Sequence, residues 1–334
     1  MTSIQEDQAE PPRALVRALM ALCGVAAVAA IGGGAALLLA PGDDPALWAL
    51  LQHTPFETFL IPGLLLLCVV GGAQVLALVL LKRRADVMLD AAIFAGGVLT
   101  VWIVAEVAMF RFVNGLHIAC GGLGLVTLAV ATVGAWRSGR PRHRWLIGVT
   151  AGEALGFLAP TAAGLWSARA GMDGVAQWAA LVAAGAVEGL VLGSAQGAVF
   201  PGAIEGRRFA VFSAAGAALA WSCFMGISML VGSNVPGVIV GAGALVMGAV
   251  GLFSVGVAQG LALKGAGGPS ATAVRWFVGW TALAWAVALP LSFAASPFVD
   301  ESTPLWVHVV LWGMGGVCMA WVMALVTWQG ARRL

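Results

Sequence analysis

Three glutamates lie inside long apolar segments of this sequence, and they are the residues best placed to do chemistry. They are Glu106, Glu153 and Glu188, and mostly apolar residues flank each of them on both sides. An ionisable side chain at the centre of a membrane-spanning helix costs roughly 2.5–3.5 kcal/mol on insertion scales, so such residues usually have a function. A carboxyl group in this position can carry a proton or hold a cation.

Glu153 and Glu188 belong to consecutive apolar segments, and their spacing predicts that they lie at similar depths. Glu153 follows the start of segment 145–167 by eight residues, and Glu188 precedes the end of segment 175–199 by about twelve. With a rise of 1.5 Å per residue, they lie roughly 12 and 18 Å from the same membrane edge. A helical hairpin therefore brings both carboxyl groups into one ligand or ion site, with Gln196 as a further ligand. The alternative is a protonated Glu bonded to a backbone carbonyl, Ser, Thr or Gln.

A second polar cluster is predicted at the other end of the third apolar segment. Glu106 is followed by Arg111, Asn114 and His117 across a short turn. Glu106, Arg111 and His117 form a partly hydrated cluster in this interpretation. The alternative is an interfacial charge network that only orients the helical hairpin.

Glycines recur at every fourth position along the segment that contains Glu188. They are Gly185, Gly189, Gly193 and Gly197, and Gly256 and Gly260 continue the pattern in a later segment. Residues four apart share one face of a helix, and helices in a membrane associate through close backbone packing rather than through the hydrophobic effect. The glycines therefore predict a tight helix interface, and a ligand groove is the alternative. Gln196 is likewise either an interhelical hydrogen-bonding group or a ligand.

The second part of the chain repeats a hairpin pattern three times. The repeats begin with basic–aromatic pairs at Arg144-Trp145, Arg208-Phe209 and Arg275-Trp276. Their second segments end in GSAQG, GVAQG and TWQG. Aligned on these landmarks, Glu153 and Glu188 have no acidic counterpart in the other two repeats. The repeated architecture therefore does not require them, which favours a role specific to the first repeat.

Composition assigns the whole chain to the integral membrane proteins. Of its 334 residues 61% are hydrophobic and 10% are charged, whereas soluble domains carry roughly 25% charged residues. Ten segments reach the length of roughly 20 residues that a bilayer requires, which predicts an all-α bundle of ten transmembrane helices. The predicted regions are a tail 1–13, a four-helix region 14–136, a basic loop 137–144, and a six-helix region 145–334 with repeats 145–207, 208–274 and 275–334.

Basic residues predict the orientation of the chain. Fifteen of the seventeen Lys and Arg residues fall in the tail, the loops and the chain end on one side of the predicted spans, and only Arg111 and Arg169 fall on the other. By the positive-inside rule, both termini are cytoplasmic. The basic residues follow the topology, so they give no indication of nucleic-acid binding. The expected surroundings are the lipid bilayer, together with a membrane-protein partner or a second copy of the chain.

Catalytic and cofactor signatures are missing from the sequence. It contains no GxxxxGK[ST] phosphate loop, no HExxH and no GxSxG motif, which argues against an enzyme with a recognisable mechanism. Its five cysteines lie within the predicted spans and show no CxxC spacing, so we expect neither a disulfide framework nor a metal site. No cofactor is expected.

Two stretches of the chain resemble known groups of bacterial membrane proteins. RWLIGVTAGEALGFLAP, GAVEGLVLGSAQGAVF and RRFAVFSAAGAALAWSCFMG resemble uncharacterised polytopic proteins built from Gly/Trp-rich hairpins with a G-x-x-x-G-x-x-Q pattern. TPFETFLIPGLLLL and VWIVAEVAMF resemble an uncharacterised four-span family, which here is fused to the repeats. The resemblance implies a location in the bacterial plasma membrane and carries no activity. The sequence thus favours a transporter-like or small-ligand-binding protein, with a non-catalytic scaffold or accessory subunit as the alternative.

Overall fold

The computed structural model describes residues 11–40, 51–52, 54, 56–199, 205–233, 235–264, 268–293 and 304–334. The structure is 86% helical, and these residues contain no strand. Ten of the helices in this part of the chain are long and apolar enough to cross a membrane. They confirm the predicted all-α bundle and its ten spans. Of the predicted tail, residues 1–10 lie outside the described part.

The ten helices are numbered in chain order. They are α1 Arg13–Leu38, α2 Leu60–Lys82, α3 Met88–Phe110, α4 Gly115–Arg137, α5 Pro141–Arg169, α6 Gly174–Val199, α7 Gly206–Val231, α8 Gly237–Ala262, α9 Ala271–Ser292 and α10 Leu305–Ala331. The shortest has 22 residues. At 1.5 Å per residue this length is enough for a hydrocarbon core of about 30 Å.

Two of these helices are irregular. In α2, a π-helical stretch at Leu65–Gly71 follows Pro62. In α5, the helix is interrupted at Phe157, between Pro141–Gly156 and Leu158–Arg169. Pro160 has no N–H for the carbonyl four residues before it, and its ring crowds that carbonyl. The interruption of α5 therefore has a local cause, and it falls one helical turn after Glu153.

The chain forms two compact units. The first comprises Met1–His143 with Ala295–Met314, and the second comprises Arg144–Ala294 with Gly315–Leu334. Their boundary falls within the predicted basic loop 137–144. The predicted six-helix region differs from the second unit in residues 295–314, which belong to the first.

The first unit is packed through small residues as well as apolar side chains. Helices α3 and α4 lie so close that a Cβ atom on Gly96 would be 2.6 Å from the backbone nitrogen of Leu128. A Cβ atom on Gly124 would be 2.7 Å from the hydroxyl oxygen of Thr100. Backbone packing of this kind is expected where lipid tails remove the hydrophobic drive between helices.

The second unit is built around aromatic residues that come from the starts of the three predicted repeats. Trp145, Phe209 and Phe277 are fully buried, and each of the first two rings lies 6.4 Å from the ring of Phe277. The indole N–H of Trp145 donates to the hydroxyl of Thr327, 3.1 Å away. Helix α7 packs against α6 and α8, and α8 packs against α9. Helix α6, which carries Glu188, thus packs against α7 within the second unit.

Candidate functional site

The structure brings Glu153 of α5 and Glu188 of α6 together. Their carboxyl groups interact directly, and the two residues are 0% and 2% exposed. Both belong to the second unit. Their offsets along consecutive segments predict a similar depth for the two residues. We call these two residues the acid pair.

A first set of glycines holds α5 against α6 at the acid pair. A Cβ atom on Gly156 would lie 2.9 Å from the carbonyl oxygen of Glu188, and one on Gly152 would collide with the Cβ of Ala195. Since neither glycine has a side chain, the two backbones touch beside Glu153. The sequence reasoning did not single out these two glycines, although they lie four residues apart in GVTAGEALG.

The predicted glycine ladder forms the opposite edge of α6, where it faces α7. A Cβ atom on Gly189 would lie 2.5 Å from the carbonyl oxygen of Ser213, and one on Gly193 would lie 2.5 Å from the hydroxyl oxygen of the same residue. A Cβ atom on Gly197 would lie 2.9 Å from the Cα of Gly206. At the fourth position, Gly185 faces an aromatic ring, described below. The corresponding pair in α8, Gly256 and Gly260, faces Val278 of α9.

Trp221 is a polar partner of the acid pair, and the sequence reasoning missed it. Its indole N–H donates to Oε2 of Glu188 over 2.7 Å. The ring lies against Gly185, where any Cβ atom would collide with it. Because Gly185 has no side chain, the ring of Trp221 fits beside it and reaches the carboxyl of Glu188, one turn further along α6. The only sequence signal for this contact is the glycine itself, because Trp221 lies 33 residues away from Glu188.

The carboxyl of Glu153 meets the carboxyl of Glu188 and receives no N–H. Both of its oxygens are buried, and no N–H or hydroxyl group among the described residues donates to either of them. Among the described residues, one N–H group, that of Trp221, is directed at the acid pair. Two ionised carboxylates in such a place repel each other, and either a proton on one of them or a bound cation relieves the repulsion. The chemistry suited to this arrangement is proton or cation binding.

Gln196 lies in a separate polar network, two helical turns along α6 from Glu188. Its amide oxygen accepts from the side-chain nitrogen of Gln259 over 2.7 Å, and the same nitrogen donates to the hydroxyl of Ser213 over 3.0 Å. Gln196 and Gln259 are the equivalent glutamines of the first and second predicted repeats. This geometry matches the interhelical hydrogen-bonding alternative for Gln196 rather than its role as a ligand beside the acid pair.

Replacing Gln259 with leucine is expected to lower the free energy of unfolding by about 1–3 kcal/mol, because Gln196 then loses its buried donor. Replacing both glutamines with leucine is expected to cost less than the sum of the two single changes, since no unpaired amide remains. Unfolding of the detergent-purified variants by denaturant measures both quantities. Strictly additive costs would show that the two amides do not stabilise each other.

Of the second predicted cluster, which is Glu106, Arg111 and His117, the structure brings Glu106 and His117 together. The Nε2 atom of His117 lies 3.9 Å from Oε2 of Glu106. The backbone N–H of Asn114 donates to Nδ1 of the same imidazole, and the Asn114 side chain accepts from the backbone N–H of His117. Since Nδ1 is the acceptor, the ring proton is on Nε2 and faces the carboxyl. Arg111 is exposed on the turn with a left-handed backbone, φ 59°.

The sequence reasoning missed a third cluster at the start of α5. Asp90 contacts Nη2 of Arg142 at 3.1 Å and Nε2 of His143 at 3.3 Å. His143 is 2% exposed, and its Nδ1 lies 2.8 Å from the hydroxyl of Ser138. The sequence of the basic loop predicts orientation and a region boundary but indicates no partner for His143. The pairing of an acid in α3 with the loop depends on helix positions that no local pattern reveals.

Within the described residues, the cysteines and other candidate ligands add no further site. Cys23, Cys68, Cys120, Cys223 and Cys318 are all free thiols. No group of three or more His, Cys, Asp and Glu side chains in the described part of the chain is arranged to hold a metal ion. No family model, curated protein or solved structure matches the chain.

Proposed function

We propose that this polytopic membrane protein is a transporter-like or small-ligand-binding protein that loads a proton or a small cation onto the acid pair. The observation that carries the proposal is the meeting of two buried carboxyl groups, of which Glu153 accepts from no N–H or hydroxyl group among the described residues. If these two positions served only to pack α5 against α6, they would not require carboxyl groups. Intramembrane acids that face the interior of a bundle commonly mark ion and proton pathways.

The interruption of α5 supports the same function. Transporters often place their ion sites at discontinuous helices, where unwound backbone carbonyls supply further ligands. Pro160 deprives the carbonyl of Gly156 of its helical partner, and Gly156 packs directly against Glu188. The broken helix therefore leaves a backbone carbonyl without its helical partner three residues after Glu153.

The orientation and the location belong to this proposal too. With fifteen of seventeen basic residues on one side, the positive-inside rule gives cytoplasmic termini in a plasma membrane. Offsets of roughly 12 and 18 Å from the cytoplasmic edge of a core about 30 Å thick then correspond to a position of the acid pair near the middle of the bilayer. We also propose that the second part of the chain consists of three hairpin repeats and that the chain is related to the Gly/Trp-rich bacterial membrane proteins.

Charge displacement in reconstituted membranes tests the proposal without knowledge of a substrate. Proteoliposomes adsorbed to a solid-supported membrane are exposed to jumps in pH, Na⁺ or K⁺ concentration. Movement of a proton or cation into a site inside the membrane produces a transient current. We expect a saturable transient in the wild type and its loss in the Glu153→Gln/Glu188→Gln double variant.

The matched control is Glu106→Gln, which removes an intramembrane carboxyl of the first unit and leaves the acid pair intact. It is expected to retain the transient. Equal transients in the wild type and the double variant would contradict the proposal, and so would the absence of a transient from all variants under every jump.

A scaffold or accessory subunit is the second candidate function, and one observation favours it. Of the 18 most apolar consecutive residues of α8, only 17% are buried, which is the lowest buried share among the ten described spans. Cβ atoms on Gly241 and Gly248 of α8 would meet no atom within 4 Å. A membrane-protein partner could pack on this face. Stable co-purification with one partner, unchanged in the double glutamine variant and lost on Gly241→Leu/Gly248→Leu substitution, would support this function.

A further inference from the structure

A groove lies between the end of α8 and the start of α9. Its volume is about 650 Å³. The walls are apolar, formed mainly by Phe253, Val257, Leu261, Val274 and Val278. All of these residues belong to the second unit. The groove is therefore a feature of one compact body and has an apolar interior.

The groove exists because glycines line it. A Cβ atom on Gly279 would meet no atom within 4 Å, so this position opens into free space. At Gly260 the two helices come close, since a Cβ atom there would lie 2.9 Å from a methyl group of Val278. Close contact between α8 and α9 thus closes the groove on one side, and the missing side chain of Gly279 leaves it open on the other.

Positive charge is concentrated at the rim of the groove. Lys264, which follows the end of α8, and Arg275, in the second turn of α9, both line it and are exposed. Arg208 donates to the carbonyl oxygen of Leu261 over 3.3 Å, so a third cation lies at the same end of α8. Among the described residues that line the groove, none is acidic. The groove thus combines apolar walls with a cationic edge.

We infer that this groove binds an anionic phospholipid. Its acyl chain lies against the apolar walls, and its phosphate contacts Lys264 and Arg275. Both cations are at helix ends, which is where a transmembrane helix meets the headgroup region. Basic pockets between transmembrane helices are suited to anionic headgroups, whereas an apolar groove without the cations would accept any acyl chain. The charge at the rim therefore selects an anionic lipid over a zwitterionic one.

Thermal unfolding in detergent tests this inference with defined lipids. Dioleoylphosphatidylglycerol is titrated into the purified full-length protein, and dioleoylphosphatidylcholine, sodium oleate and inorganic phosphate serve as comparison probes. We expect phosphatidylglycerol to raise the Tm saturably, and the three comparison probes to raise it less at equal concentration. The apparent affinity follows from the concentration at half of the maximal shift.

Two variants target the two parts of the site. Lys264→Gln/Arg275→Gln is expected to weaken phosphatidylglycerol binding by about thirtyfold, since each cation near an anionic lipid contributes about a factor of five. Gly279→Leu adds a side chain in open space within the groove and is expected to abolish the saturable shift without unfolding the protein. Lys82→Gln/Arg83→Gln and Gly248→Leu are the matched controls away from the groove, and both are expected to bind like the wild type.

The inference is overturned if phosphatidylcholine gives the same saturable shift as phosphatidylglycerol, or if the groove variants bind like their controls. A full shift with inorganic phosphate alone would assign the rim to a free anion and also overturn it. A full shift of the Tm with oleate would assign the groove to fatty acids and would likewise overturn the inference. All of these readouts are independent of the acid pair, so they do not bear on the proposed function.

Discussion

Replacing Gly189 with alanine is expected to lower the free energy of unfolding by about 1–3 kcal/mol, although alanine is the better helix former. The new Cβ atom would lie 2.5 Å from the carbonyl oxygen of Ser213 and 2.6 Å from the Cβ of Ala217. One of these contacts is with backbone, which no side-chain rotation relieves. The helices α6 and α7 must therefore separate, and dispersion contacts along the whole ladder weaken.

Gly248 provides the matched control for this substitution. It also lies in the middle of a long apolar helix, but a Cβ atom there would meet nothing within 4 Å. Gly248→Ala is expected to leave the stability unchanged or raise it by up to about 1 kcal/mol through helix propensity. The same chemical change thus has opposite signs at the two sites. Denaturant unfolding in detergent measures both, and an equal effect at both glycines would refute the tight α6–α7 interface.

Replacing Trp221 with phenylalanine is expected to lower the free energy of unfolding by about 1.5–3 kcal/mol, the range for a hydrogen bond to a charged group. The substitution retains an aromatic ring over Gly185 but removes the only N–H that the described residues direct at Glu188. A buried carboxyl then faces a second carboxyl with no donor. We therefore expect Trp221→Phe to lower the free energy of unfolding more than the same substitution at a surface tryptophan.

A double-mutant cycle separates the hydrogen bond from packing. In a Glu188→Leu background there is no carboxyl to accept the indole N–H, so Trp221→Phe is expected to cost only its packing contribution. The difference between the two backgrounds is the coupling between Trp221 and Glu188. Trp276→Phe is a suitable control, because its ring is 46% exposed and lies under the guanidinium of Arg333. A coupling near zero would show that the contact with Glu188 contributes nothing to stability.

The ten spans and the all-α class could be predicted from the sequence because both depend on the lengths of apolar segments. A segment that crosses the bilayer must hydrogen-bond its own backbone N–H and C=O groups, because lipid offers no partners. A long apolar segment therefore forms a helix. The meeting of Glu153 and Glu188 was predictable for a similar reason. Consecutive antiparallel helices share a membrane edge, and counting residues from that edge gives the depth of each carboxyl.

Contacts that depend on helix rotation could not be predicted. Trp221 reaches Glu188, and Gln259 reaches Gln196, only because of how α7 and α8 are turned about their axes. Hydropathy contains little information about rotation when every face of a helix is apolar. Asp90 and His143 illustrate the same limit, since their contact requires the start of α5 to lie against α3. Glycine spacing is the exception, because a ladder marks the face on which close packing occurs.

The pH dependence of thermal unfolding tests most directly whether the acid pair is a single buried site that holds a proton or a cation. The wild type and the Glu153→Gln/Glu188→Gln variant are unfolded across a pH series in choline buffer, and the series is repeated with added Na⁺ or K⁺. If the folded pair binds a proton that the unfolded chain releases, stability falls as the pH rises. We expect a Tm that falls with rising pH for the wild type, partial restoration of this Tm by a cation, and loss of both effects in the double variant. Parallel curves for the two proteins under all conditions would contradict it.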